Sequence, residues 1–134
     1  FYRKAYKIAP DDADLQTSLG QTFYYQKNYF AAIQMMEKHL ENNPRSTIAN
    51  LVLSLCYLES PSHFNVNLAF QYASKALSMN NKNADANYVM ARVFLSGNNK
   101  EEAIKYYSKA VEINPGLKNN DMEIALGLIY KEEK

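Results

Sequence analysis

The sequence predicts an all-α fold of repeated, stacked helix pairs, and three observations carry that prediction. A spaced pattern of small and aromatic residues recurs along the chain. Helix breakers are few, with four Gly and four Pro in 134 residues. Eleven Tyr and six Phe, with no Trp, supply rings to pack between helices. Gly and Pro are the residues a helix interior tolerates least, and aromatic rings bring the large apolar areas that join helices. Self-similarity at a period of roughly 20–50 residues marks an architecture in which each unit buries its apolar face on its neighbour.

The elements follow in order from the repeat. Residues 13–46 carry Leu19-Gly20-x2-Phe23, a Lys27-Asn28 break, Ala32-x3-Met36 and Pro44. Residues 84–117 match them in order and spacing: Met90-Ala91-x2-Phe94, the break Ser96-Gly97-Asn98-Asn99, Ala103-x3-Tyr107-x2-Ala110 and Pro115. The middle copy, 47–83, has Leu53-Ser54-x2-Tyr57 and Ala69-x3-Ala73-x2-Ala76, with Asn81 in place of the proline. It is three residues longer, and the excess falls in Ser60-Pro61-Ser62-His63-Phe64-Asn65, where a loop between paired helices absorbs it at small entropic cost. Partial copies flank these three. Tyr2-x2-Ala5 and Pro10 make 1–12 the second helix of a unit, and Leu126-Gly127-x2-Tyr130 makes 118–134 the first helix of another. About eight helices result. With Phe1 rather than Met at the start, the chain reads as a window on a longer superhelix.

The residue types have physical reasons. Gly20, Ala91 and Gly127, with Ala32, Ala69 and Ala103, are small positions on a bulky stripe, where antiparallel helices approach closely. Phe23, Tyr57, Phe94 and Tyr130 lie three or four residues on, on the same face, as plugs for those notches. Pro10, Pro44 and Pro115 stop the preceding helix, and Asp11, Asp12 and Ser46 are placed to cap the next. Asn42, Asn43, Asn80, Asn81, Asn98, Asn99, Asn119 and Asn120 gather at the breaks, where Asn tolerates left-handed backbone.

This pattern resembles the tetratricopeptide repeat, a 34-residue helix–turn–helix unit joining Leu-Gly-x2-Tyr to a later Ala-x3-Phe and a closing Pro. The resemblance covers nearly the whole chain and implies a right-handed superhelical solenoid whose first helices line a concave surface where peptide segments dock. One departure is consistent: the position that favours Trp holds Gln16, Asn50, Asn87 and Glu123, which predicts weaker contacts between units unless the tyrosines compensate. On the first helices, residues opposite the packing stripe are then groove candidates. They are Asp14, Thr17, Ser18 and Gln21 in the first unit, and Ile48, Leu51, Val52, Leu55 and Leu58 in the second. The third offers Asp85, Tyr88, Val89 and Arg92, and the last helix Asp121, Ile124, Ala125 and Leu128. The groove is expected to run from polar to apolar. The helix over 46–58 is apolar all round, as buried helices are, so either a partner segment or the neighbouring first helices must cover it.

Family members that bind chaperone tails use cations and asparagines as a two-carboxylate clamp. The matching positions are Thr17, Gln21, Val52, Asp85 and Val89, so no Glu-Glu-Val-Asp tail is expected as ligand. Arg92 is the one cation beside the groove, expected to be solvated or singly paired.

Other constellations have plain readings. Fifteen Lys plus Arg against fourteen Asp plus Glu give a net charge of +1, no footprint for nucleic acid or anionic lipid. The longest apolar stretch, 49–58, contains Asn50 and Ser54 and is far short of the roughly 20 residues that span a bilayer. The single Cys56 excludes an internal disulfide and reads as a small buried hydrophobe. His39 occupies a slot that is Ala5, Ala76 and Ala110 elsewhere, a helix seam. His63 lies in the inserted loop, a plausible contact for a partner. Tyr24 and Tyr25 stand outside the repeat positions, near the polar end of the groove. Glu101 and Lys105 form an i,i+4 pair. No metal-ligand cluster, cofactor motif or catalytic constellation is found, so no enzyme is expected. The function expected is a protein–protein interaction scaffold holding a hydrophobic or amphipathic segment of a protein or peptide. The alternative is an architectural subunit that assembles through its solenoid ends, by head-to-tail self-association or within a larger complex.

Overall fold

The computed structural model describes residues 12–128. The helix expected within 1–12, together with Pro10, Asp11 and Tyr130, lies outside them. The described residues form seven α-helices and no strand: α1 Ala13–Tyr25, α2 Tyr29–Asn42, α3 Thr47–Glu59, α4 Val66–Met79, α5 Ala84–Ser96, α6 Lys100–Ile113 and α7 Asn120–Ala125, with a 3₁₀ turn at Pro115–Leu117 before α7.

Every helix starts by the same device. Asp12, Asn28, Ser46, Asn65, Asn83, Asn99 and Asn119 each accept the backbone N–H three residues on. Such a cap is worth about 1 kcal/mol. Among the asparagines expected at the breaks, Asn99 and Asn119 serve as N-caps, and Asn43 and Asn80 as C-caps. Of the eight expected to favour left-handed backbone, Asn98 is the one with positive φ.

Three first helices also end alike. After α1 the chain turns through Lys27 at φ 62°, with Asn28 N–H donating to Phe23 C=O; after α5, through Asn98 at φ 61°, with Asn99 N–H donating to Phe94 C=O. After α7, Gly127 at φ 78° plays this part, with Leu128 N–H donating to Glu123 C=O. This double reversal satisfies carbonyls the helix end leaves orphaned. Gly127 is thus a helix terminator rather than the notch expected of it, and a Cβ added there would meet nothing within 4 Å. The helix expected to continue past it stops at Ala125. After α3, the insertion closes differently: Asn65 N–H spans it to Tyr57 C=O at 2.9 Å, and Ser60 Oγ meets His63 Nδ1 at 2.9 Å.

Helices pack within the pairs α1/α2, α3/α4 and α5/α6, and each pair packs on the next through α2/α3 and α4/α5. The first helices also touch one another, α1 against α3 and α3 against α5. The notches fill as expected at Gly20, where an added Cβ would lie 2.5 Å from Met36 Cε. Ala32, Ala69, Ala91 and Ala103 are fully buried. Tyr57 stacks on Tyr72, and Phe94 stacks on Tyr106 while meeting the edge of Phe70. Met36, Leu53 and Val93 are enclosed at the centres of the seams, each such side chain contributing about 2 kcal/mol by leaving water.

The positions that lack Trp are not weak points of exposure. Gln16, Asn50, Asn87 and Glu123 are all buried, and each makes at least one side-chain hydrogen bond. Gln16 Oε1 meets His39 Nδ1 at 3.1 Å across the α1/α2 seam. Asn50 Nδ2 donates to Ser46 C=O at 2.8 Å, and Asn87 Nδ2 to Asn83 C=O at 2.8 Å and Asn81 C=O at 3.1 Å. Glu123 Oε2 accepts from Tyr107 Oη at 2.6 Å. The Oδ1 atoms of Asn50 and Asn87 have no protein partner.

Candidate functional site

The inner face is built from one stripe on each first helix. Counted from the N-cap, it runs through the second, fifth and ninth residues, steps of three and four that share a helix face. On α3 these are Ile48, Leu51 and Leu55, with Leu58 one step further. Ile48 is 44% exposed, while Leu51, Leu55 and Leu58 are half-buried. The three leucines pack against a cluster formed by Ala69 and Ala73 of α4 with Val89, Met90 and Val93 of α5. On α5, Asp85 is exposed and Tyr88 and Arg92 are half-buried; on α7, Asp121 is exposed and Ile124 half-buried, and Leu128 beyond it is exposed. On α1, Asp14 is exposed and Thr17, Ser18 and Gln21 are half-buried.

Two groove candidates are core residues instead. Val52 and Val89 are 6% and 4% exposed. Val52 joins Leu19, Phe23 and Leu53, while Val89 joins Met90 and Val93 with Leu51 and Leu55 against them. Both occupy the sixth place after the N-cap, which the packing of first helix on first helix covers. The two ways of covering α3 therefore share its surface: α1 takes Val52, α5 takes one flank of the leucines, and the other flank stays open.

The C-terminal ends of the first helices carry a polar knot that the repeat pattern did not single out. Glu59, the last residue of α3, accepts Tyr24 Oη from α1 at 2.5 Å and Tyr29 Oη from α2 at 3.4 Å, and pairs with Arg92 Nη1 from α5 at 3.0 Å. One carboxylate thus links three helix pairs. Arg92 is singly paired, as expected. Burial and then the Glu59 carboxylate push the Tyr24 phenol far above its ordinary value, and the same two causes raise Tyr29. Burial also pushes the Cys56 thiol up to about 12, with Glu59 adding to it, which leaves a protonated, enclosed sulfur with no nucleophilic character.

His39 is buried in the α1/α2 seam, and desolvation lowers its pKa, with Asp14 opposing. Its contact with the Gln16 carbonyl oxygen requires the Nδ1–H form of the ring. His63 stacks on Phe30 with ring centroids 6.2 Å apart. Tyr24 packs edge-on against both Tyr25 and Tyr29. Lys105 pairs with Glu102 at 3.1 Å rather than with Glu101. Among the described residues, no three His, Cys, Asp or Glu gather as a metal site, and no helix is long and apolar enough to cross a membrane.

Two clefts open on or beside the stripe. One, of about 410 Å³, lies between α5 and α7 and is lined by Tyr88, Arg92, Leu95, Asp121 and Met122. The other, of about 500 Å³, lies at the starts of α1 and α3, between Asp14, Thr17, His39, Arg45 and Ile48.

A tetratricopeptide-repeat family model matches residues 64–127. That segment resembles the tetratricopeptide repeat, and the chain has the tetratricopeptide-repeat fold. Its fold superposes on the crystal structure of MamA with a TM-score of 0.76 at 24% identity, over 95% of this chain and 71% of that one. It matches the Sgt2 repeat domain of Aspergillus fumigatus with a TM-score of 0.74 at 20% identity, over 87% and 76%. A third match is the first repeat domain of Spaghetti (RPAP3), solved with the HSP90 peptide SRMEEVD bound: TM-score 0.73 at 19% identity, over 87% of this chain and 88% of that one. At these identities the neighbours establish the tetratricopeptide fold. No curated protein matches the sequence. The fold is one that serves in general as a protein–protein interaction scaffold: repeats contact only their neighbours and leave an extended surface.

Proposed function

We propose that this chain is a scaffold whose first-helix face holds an apolar or amphipathic segment of a protein partner. The observation that carries the reading is the row Ile48, Leu51, Leu55 and Leu58 on α3, which keeps apolar surface exposed even after α1 and α5 have packed against it. Apolar surface continuous along one helix face is the usual form of a segment-binding groove. Tyr88 and Ile124 extend it toward α7, and Arg92 borders it while paired to Glu59. A tail ending in a free carboxylate is a poor ligand here. The clamp positions offer Thr17, Gln21, Asp85 and two buried valines, Val52 and Val89, and none is a cation.

The test is a pull-down from the native source with the full-length protein. Leu51→Asp with Leu55→Asp should reduce partner capture by more than tenfold, the scale of two desolvated apolar contacts. Because both leucines also touch the α4/α5 cluster, Ile48→Asp serves as the second variant, with circular dichroism confirming the fold of each. Undiminished capture by both folded variants would sink the groove. A second reading, assembly through the ends, is supported by Ile113 and Leu128, each exposed near the C-terminal end. It predicts that Leu128→Glu weakens self-association in light scattering while the groove variants leave it intact.

A further inference from the structure

Resting on the groove reading above, we propose that the segment it takes is basic as well as apolar, with Lys or Arg side chains meeting a rim of carboxylates. The first helices carry charge of essentially one sign: α1, α3, α5 and α7 hold Asp14, Glu59, Asp85, Asp121 and Glu123 against the single cation Arg92. Arg92 is taken by Glu59 at 3.0 Å, and Glu123 is buried against Tyr107 Oη at 2.6 Å. The other three carboxylates are exposed. All three occupy one register, the second residue after the N-caps Asp12, Asn83 and Asn119, and the place between them in the row belongs to Ile48 on α3.

The register places these carboxylates on the same helix face as the apolar floor, one turn before Thr17, Tyr88 and Ile124, with Ile48 in the same place before Leu51. Asp14 and Asp121 also open onto the two clefts. Arg45, in the turn before α3, borders the first of these and is the nearest counter-charge there. A first-turn acid suits the helix dipole, and α6, outside the row, also starts with Glu101 and Glu102 while α2, α3 and α4 start without one; what sets Asp14, Asp85 and Asp121 apart is their shared place on the first-helix face. A face with an aliphatic floor and an anionic rim fits Lys and Arg in particular, since their methylene stems lie along apolar surface while the charged head reaches outward. It repels acidic segments.

The experiment is a display selection of random peptides on the folded protein, read by sequencing, in parallel with Leu51→Asp/Leu55→Asp and with Asp14→Asn/Asp85→Asn/Asp121→Asn. The expected winners combine aliphatic residues with Lys or Arg, disappear on the leucine variant, and bind the triple Asn variant roughly tenfold more weakly, the sum of three exposed charge pairs. Their binding should also weaken with added salt. Groove-dependent winners that are neutral or acidic, or whose affinity the triple variant leaves unchanged, overturn the basic partner and leave the groove standing. Winners that persist on the leucine variant, or no enrichment at all, overturn both.

Discussion

Glu59→Ala should unfold the chain earlier and less cooperatively than the loss of one surface residue would. The carboxylate accepts the Tyr24 hydroxyl at 2.5 Å, a charge-assisted bond worth about 1.5–3 kcal/mol. Its pair with Arg92 is between side chains 32% and 25% exposed, which holds that contribution to about 0.5 kcal/mol. The Tyr29 contact at 3.4 Å adds little. The expected cost is therefore about 2–3 kcal/mol. With a urea dependence of about 2 kcal/mol per molar, the midpoint falls by about 1 M. Because the residue ties α1 and α5 to α3, the slope of the transition should fall too, as repeat arrays lose cooperativity when an interface weakens. Glu59→Gln, which keeps an acceptor oxygen, should cost about half as much. A double-mutant cycle with Tyr24→Phe should show a coupling of at least about 1 kcal/mol. The Tyr24 phenol, followed by ultraviolet titration, should move back toward its ordinary value in Glu59→Ala, but only part of the way, since burial is the larger cause. An unchanged midpoint, or strict additivity in the cycle, would refute the claim that this carboxylate joins three helix pairs.

Two further outcomes follow. Lys27→Gly should raise stability by about 1 kcal/mol, because Lys27 holds φ 62° at the end of α1, where a side chain is strained and glycine is not; Asn98→Gly should gain less, and a lower melting temperature for Lys27→Gly would contradict the turn geometry. Stability should hold to about pH 9 and fall steeply above pH 10: Tyr24, Tyr29, Tyr57, Tyr72, Tyr88 and Tyr107 are all pushed upward, with burial the first cause in each. The folded chain keeps these protons where the unfolded chain, titrating near 10.0 for phenols and 9.0 for the thiol, has released them, so unfolding gains as pH rises. A melting temperature flat to about pH 11 would count against it.

The repeat, the pairing of helices and the notch at Gly20 were legible in the sequence because each depends on residues three, four or about thirty-four apart, which periodicity exposes. The inserted loop was legible as a break in that period. What escaped depends on how units sit on one another. Glu59 lies at no repeat position, and its partners are 30, 33 and 35 residues away on three other helices. Val52 and Val89 were read as groove residues from rotation about one helix, whereas the neighbouring first helix decides their burial. The absence of Trp was read as a missing contact, when the substituted residues are buried and bonded. Gly127 looked like Gly20 in the pattern, and the backbone at φ 78° gives it the opposite role.

Those substituted residues divide into two kinds, with a consequence for recombining the units. Asn50 and Asn87 satisfy their amide N–H groups on backbone carbonyls at or just before the start of their own helix, so α3 or α5 can be transplanted into another array and bring that part of its polar chemistry along. Gln16 depends on His39 in α2, and Glu123 depends on Tyr107 in α6. Moved alone, α1 would lose the Gln16–His39 contact, and α7 would strand a buried carboxylate at a cost of several kcal/mol. The exception in α3 is Glu59, which keeps its bonds only where Tyr24 and Arg92 travel with it.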